Sequence, residues 1–325
     1  MNVLVQAAGF LTSVQDLGRR GFRQAGVSLG GALDSHALRV ANAVVGNDDH
    51  AAGLELTLGK VRLGFRDRRL VAWCGGAAFA VRVNEKELPP GHAGLVENDA
   101  ELAVDAPTNG ARAWLAVSGG LDVPVVLGSR ATDLRGNFGG FEGRALRDGD
   151  LLPLGAPERR RLQCGGSWVS DWAAPANWAA TASQDAVLRV VRGPDWDRFS
   201  AEAQRSLLSA PFSVTPESDR MGAQLEGAEL KRDEENDLLS EAVVPGTLQV
   251  PPNGQPILLL ADCQTIGGYP KIAHVITVDL PIAAQLGPGR AVRFQEVPVA
   301  AARDLLRQRE EDFARFRVGL QLHRS

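Results

Sequence analysis

The 325 residues read as a mainly β protein of two β-barrel half-domains with a few peripheral helices. Short apolar runs recur along the chain, and Gly, Pro, Asn and Asp punctuate them about every ten residues, the rhythm of a barrel or sandwich. A stretch rich in Ala, Trp, Pro and Ser, without a clean period, then interrupts that rhythm. It reads as a surface-wrapping connector. The predicted organisation is a first β-domain at 1–155, a connector at 156–186 and a second β-domain at 187–325.

In the first half, strands are predicted at 3–6, 61–65, 70–74, 79–83, 102–104, 113–117 and 151–154, with the Leu-x-Leu-x-Leu alternation of 53–60 reading as a further strand. In the second they are predicted at 187–191, 247–250, 257–260, 274–278 and 291–294. Three helices accompany them. Ser35–Val45 has Asp34 as its N-cap, an apolar stripe at Ala37, Leu38, Ala41, Val44 and Val45, and Gly46 to end it. A helix at 196–208 starts from Asp195, and a charged amphipathic helix at 300–316 lies on the outside. Four pairs of segments, including Val3-Leu-Val-Gln-Ala-Ala-Gly9 with Leu188-Arg-Val-Val-Arg-Gly-Pro194, keep their order in the two halves. That order suggests an ancient duplication.

Composition narrows the function. With 44% hydrophobic and 23% charged residues and a net charge of −4, the chain suits a soluble globular protein with no attraction to nucleic acid or anionic lipid. Cys74, Cys164 and Cys263 form neither a disulfide framework nor a metal pair and fit a reducing compartment. The segment MNVLVQAAGF lacks the features of a signal peptide, and no apolar run approaches the roughly 18 residues of a membrane span. The expectation is a cytoplasmic protein. No Walker loop, paired-histidine metal spacing or Gly-x-Ser-x-Gly elbow is present.

Three polar clusters could carry chemistry. The densest runs from Asp262 to Ala273 and holds Asp262, Gln264, Thr265, Gly267, Gly268, Lys271 and the chain's only tyrosine, Tyr269. Gly267-Gly268 should take dihedrals closed to other residues and leave amide N–H groups open to a ligand. The second cluster, 11–22, places Gln15, Asp16 and Arg19 within five residues. It is either a structural ion pair or a loop whose Arg19 holds a carboxylate. The third, 128–143, is a Gly-rich loop bearing Ser129, Arg130, Thr132, Asp133 and Arg135. Cys263 reads as a buried thiol, since no activating neighbour is evident. The charge run Lys231-Arg-Asp-Glu-Glu-Asn-Asp237 reads as an exposed loop.

Together these clusters resemble the group of 5-oxoprolinase C subunits within the biotin-dependent carboxyltransferase family, also described as the second subunit of allophanate hydrolase. The matching residues are 11–21, 30–42 with Asp34 and Arg39, Glu55 and Thr57, 118–149, 250–256 and 262–273. The resemblance implies cyclophilin-like β-barrels for both halves. It also implies direct partnership with the 5-oxoprolinase B subunit, association with the A subunit, and ATP-dependent opening of the 5-oxo-L-proline lactam to L-glutamate. Two alternatives remain open: a carboxyltransferase component working with a partner's biotin on urea or another small amide, and a non-catalytic member that binds a kinase inhibitor. The chain departs from the family at Ile266, where Thr is common, at Leu33, where Met is common, and at Gly76-Ala77, where an Asp often follows.

A lactam resists hydrolysis through amide resonance, so the reaction needs an activated carbonyl oxygen, donors for oxyanion charge and a base for water. On the resemblance, Gly267, Gly268, Lys271 and Thr265 are assigned to anion stabilisation and Asp262 or Asp16 to base chemistry. Arg19 or Arg130 is assigned to the substrate carboxylate, and Gln15, Gln264 and Tyr269 to substrate contact. The ATP site has no location on this chain, and the 262–273 loop is expected to form one wall of a cleft between the two barrels.

Overall fold

The computed structural model describes residues 1–76, 78–157, 168–178, 185–233 and 238–324. The chain divides into two compact units. The first contains Met1–Arg19, Gly30–Thr181 and Phe313–Ser325; the second contains Arg20–Leu29 and Ala182–Asp312. Membership therefore alternates along the chain, where the sequence suggested a single division at the connector.

The first unit is two six-stranded antiparallel sheets. One orders its strands Leu151–Pro153, Asn2–Ala7, Val61–Phe65, Ala100–Val104, Val81–Val83 and Lys86–Glu87; the other orders Val169–Ala173, His92–Val96, Arg69–Cys74, Arg112–Val117, Gly53–Thr57 and Leu11–Gln15. Strands of the first sheet alternate, so Val3, Val5, Val61, Leu63 and Phe65 are buried while their neighbours are less so. In the second sheet, Gly53–Thr57, Arg69–Cys74 and Arg112–Val117 are buried at every position. The physical reason is a second cover. Helix α1 (Ser35–Val45) packs on Arg69–Cys74 and Arg112–Val117, so these strands have apolar side chains on both faces. One core joins residues of both sheets, including Val5, Phe65, Leu102, Leu54, Trp73 and Leu115.

Helix α1 begins and ends where its sequence says. Asp34 accepts from Ala37 N at 2.8 Å, and Gly46 closes the helix at φ 86°. In the same unit, Trp178 meets His36 and Phe316 edge-on, with ring centroids 5.2 Å apart in each pair, and the Arg39 guanidinium lies 4.4 Å from the Phe313 ring centroid.

The second unit closes into a seven-stranded barrel in the order Asp185–Arg192, Lys271–Val275, Thr247–Gln249, Ile257–Leu259, Gly222–Glu226, Phe212–Val214 and Ala291–Glu296. All its pairings are antiparallel except that of Asp185–Arg192 with Ala291–Glu296, which is parallel and closes the ring. Leu188, Val190, Phe212, Leu248, Leu258, Val275 and Phe294 are among its buried residues. Helix α2 (Ala201–Ser209) and the short helix α3 (Leu280–Ala283) belong to this unit, whereas helix α4 (Val299–Arg324) is counted with it up to Asp312 and with the first unit from Phe313.

The mainly β expectation with a closed barrel holds, and several elements differ in detail. The strand predicted at 274–278 starts earlier, at Lys271, and ends at Val275. There Asp279 accepts from Arg189 N at 2.7 Å and Arg189 Nε at 2.9 Å, and Thr277–Asp279 winds into a 3-10 turn. The helix predicted at 196–208 is a 3-10 turn, Trp196–Arg198, followed by α2. Phe199 is extended between them and Ser200 is the α2 cap, accepting from Ala203 N at 3.1 Å. The 11–22 cluster begins as a strand, not a loop, and part of the expected connector, Val169–Ala173, pairs with His92–Val96. Ala77, Cys164 and most of the acidic end of the 231–237 charge run lie outside the described residues. Among the described residues no helix is long and apolar enough to cross a membrane.

Candidate functional site

The predicted site residues fall into two clusters, one in each unit. In the first unit, Gln15 ends the strand Leu11–Gln15 and is fully buried. Its Nε2 donates to Ser13 Oγ at 3.0 Å and to the Thr132 carbonyl at 3.3 Å. The Asp16 carboxylate accepts from Gly18 N at 2.8 Å, Ser129 Oγ at 2.7 Å and Arg130 N at 2.6 Å. These bonds tie the Gly-rich loop to the strand end. Arg19 is also fully buried, donates to the Ala131 carbonyl and lies 4.6 Å from the Phe138 ring centroid. A Cβ on Gly139 would run into Arg19 Nη2 and one on Gly140 into Thr132 Oγ1, and both glycines hold positive φ, 69° and 54°. Gly139 therefore allows close packing on Arg19, and Gly140 close packing on Thr132. Arg130 is the accessible guanidinium, paired at the surface with Asp122 at 2.8 Å.

Behind this cluster, Glu55 is buried and accepts from Leu33 N at 3.0 Å and Trp114 Nε1 at 2.9 Å. Burial, helped by the nearby Asp34 carboxylate, pushes the Cys74 thiol up to about 12.

In the second unit, the segment 262–271 leaves the barrel after Ile257–Leu259 and returns to it as Lys271–Val275. It is not one turn. Ile266–Gly267 forms a short antiparallel pair with Glu241–Ala242. Asp262 makes a two-point, buried ion pair with Arg220, Oδ2 to Nε at 2.8 Å and Oδ1 to Nη2 at 3.1 Å. Arg23 donates to the carbonyls of Val243 and Thr265, and Thr265 is itself buried. Neither Gly267 nor Gly268 has positive φ, which corrects the dihedral expectation. Space explains them instead: a Cβ on Gly267 would sit 2.7 Å from Gln249 Nε2, and one on Gly268 3.2 Å from the Leu238 carbonyl.

Lys271 is the buried cation of this loop. Its Nζ lies 2.9 Å from Glu241 and 3.3 Å from Asp195, and its backbone N donates to Asp195 at 2.9 Å. Burial works against its charge, but the hydrogen bond to Glu241 and the charge of Asp195 outweigh it and raise the ammonium above its ordinary value. The two partners differ. The Asp195 side chain is largely buried, whereas that of Glu241 is 65% exposed, so Glu241 is the solvent-facing partner of the ammonium. Ile266 and Tyr269 are exposed beside it, at 59% and 45%.

Sequence reading missed Gln249, Glu241, Arg220 and Arg23, and took Asp195 for a helix cap. The partners of these residues are remote in sequence, and no local spacing announces them.

The family match takes in the whole of the second cluster and the Gly-rich loop of the first. The model of the carboxyltransferase domain, subdomain A and B, matches residues 25–296. The chain belongs to this carboxyltransferase family. Relatives in the family include the 5-oxoprolinase C subunit of Escherichia coli (strain K12), 40% identical over 295 residues that make up 91% of each chain. The 5-oxoprolinase C subunit of Haemophilus influenzae is 34% identical over 299 residues, 92% of each chain. Among solved structures, the Kluyveromyces lactis urea carboxylase superposes with a TM-score of 0.88 at 31% identity, covering 97% of this chain but 29% of that one.

Proposed function

We propose that this chain is the C subunit of a 5-oxoprolinase, which hydrolyses the 5-oxo-L-proline lactam to L-glutamate with ATP and with partner A and B subunits. The observation that carries this reading is 40% identity across 91% of both chains to a protein of that name. The loop 262–271 supplies fitting chemistry. Lys271 stays cationic, and displacement of the exposed Glu241 would open one side of the ammonium, with Asp195 still on the other, to the substrate carboxylate or to developing oxyanion charge. Thr265 and the amide groups of Gly267-Gly268 line the same loop, and Tyr269 offers an exposed phenol. Asp262 and Asp16 are read as positioning groups. Arg220 takes both oxygens of one, and three donors hold the other. In the first unit Arg130, with only a surface pair to break, is the better candidate than the sealed Arg19 for an incoming carboxylate.

The reading leaves the nucleotide with the assembly. The glycine pair Gly30-Gly31 leads into α1, but the Asp34 carboxylate accepts from the first-turn amide of Ala37, placing a negative charge where a phosphate would bind.

The experiment combines the chain with its partner proteins, 5-oxoproline and ATP and measures glutamate. No glutamate from otherwise competent partners sinks the reading. A biotin-dependent carboxyltransferase for a small amide is the second reading, favoured by the superposition on urea carboxylase. Loss of carboxybiotin on addition of urea, without glutamate formation, would select it.

A further inference from the structure

We infer that Gln249, a barrel residue outside the loop, fixes which way round the loop presents its carboxamide Gln264 to a ligand. The identity of that ligand rests on the 5-oxoprolinase reading; the relay itself does not.

Gln249 is 1% exposed, and its strand is paired on both sides, Gln249 with Ile257 and with Lys271. The ladder to Lys271–Val275 changes register between Leu248 and Gln249, passing over Ile272; such bulges re-aim side chains beside sites. Here the side chain meets three parts of the loop. Its Nε2 donates to the Tyr269 carbonyl at 3.2 Å, its Oε1 accepts from Gln264 Nε2 at 3.1 Å, and its amide closes over the space a Gly267 Cβ would need.

The polarity of this relay has one origin. A backbone carbonyl can only accept, so the Tyr269 carbonyl forces the Gln249 nitrogen to face it. The Gln249 oxygen must then face Gln264, whose nitrogen is drawn inward. Gln264 is half-buried, and the end it has left for a ligand is Oε1, an acceptor. A lactam carries one N–H donor, so the relay selects ligands with an amide N–H over ring analogues such as lactones. A site that presents an acceptor disfavours analogues without the matching donor, the more so where a bound ligand shuts water away from that acceptor.

The test uses Gln249→Met, a near-isosteric change, together with Gln264→Met and the double variant, each assembled with the partner proteins. The expected result is a KM for 5-oxoproline raised about tenfold with kcat within about twofold, as for loss of a binding contact, and no further rise when Gln249→Met is added to Gln264→Met. Additive effects of the two changes, or an unchanged KM in Gln249→Met, would overturn the inference. Fluorine NMR of the 3-fluorotyrosine chain gives an independent readout, since Tyr269 is the only tyrosine. Gln249→Met should shift or broaden its single resonance while the thermal midpoint stays within a few degrees. An unmoved resonance overturns the relay even if the wild-type assembly makes glutamate. A moved resonance with an inactive wild-type assembly sinks the 5-oxoprolinase reading and leaves the relay standing.

Discussion

Cys263 sits inside the polar loop near the Arg23 guanidinium, yet burial pushes its thiol up to about 11, with Arg23 only partly opposing the rise. Cys74, sealed in the other unit, is pushed higher still. Thiolate is the reactive form, and burial disfavours it at both cysteines. Iodoacetamide at about pH 8 should leave the peptides of Cys74 and Cys263 unlabelled in the native chain and label both after unfolding. Rapid native labelling of Cys263, read by peptide mass spectrometry, would contradict the buried-thiol reading. The sequence made this residue legible, because no activating partner stood near it. Gln249 was not legible, since its importance depends on Gln264 and Tyr269 meeting it across a barrel bulge.

Among elements, the segment 262–271 is held by groups from elsewhere in its unit, and Arg220 is the strongest anchor. Removing one member of a buried ion pair leaves the other charge uncompensated, so Asp262→Asn should lower unfolding free energy by about 3–5 kcal/mol. Equilibrium urea denaturation measures this, and a change under about 1 kcal/mol would mean the pair adds little here. The strand that follows carries a pH signature. Burial holds the His274 imidazole below its ordinary value of 6.5. Between the two values the unfolded chain binds a proton that the folded chain does not, so stability is full above pH 6.5 and declines as pH falls from there to the folded-state value. His274→Gln should flatten that part of the stability profile.

Element legibility followed the same physics. Helix α1 was readable to the residue because its cap, stripe and terminating glycine are local. Most central strands were found because burial imposes an apolar run. Leu11–Gln15 hid behind its polar side chains Thr12, Ser13 and Gln15, all of them buried. Val169–Ala173 hid because its pairing with His92–Val96 is remote.

For the whole molecule, the family resemblance placed the chain correctly from its residues alone, and the barrel of the second unit agrees with it. The alternation of segments between units was not legible. Nothing in residues 20–29 or 313–325 marks them as belonging with distant parts of the chain, and contacts such as Arg23 to the Val243 carbonyl appear only on folding. The polar clusters were found as sequence neighbours, but their pairings were not: Asp16 and Asp262 are each held by several donors, and Lys271 pairs with one largely buried and one exposed carboxylate.

The central claim is that this chain acts within a 5-oxoprolinase through the cation of its second-unit loop. Its most direct measurement is glutamate release from 5-oxoproline and ATP by the assembly carrying either the wild-type chain or Lys271→Met. Steady turnover is expected with the wild-type chain and a rate lower by about 100-fold or more with Lys271→Met, the scale of losing one charge-stabilising donor, with the assembly intact by sedimentation. Equal rates from both assemblies, or no glutamate from the wild-type one, would contradict it.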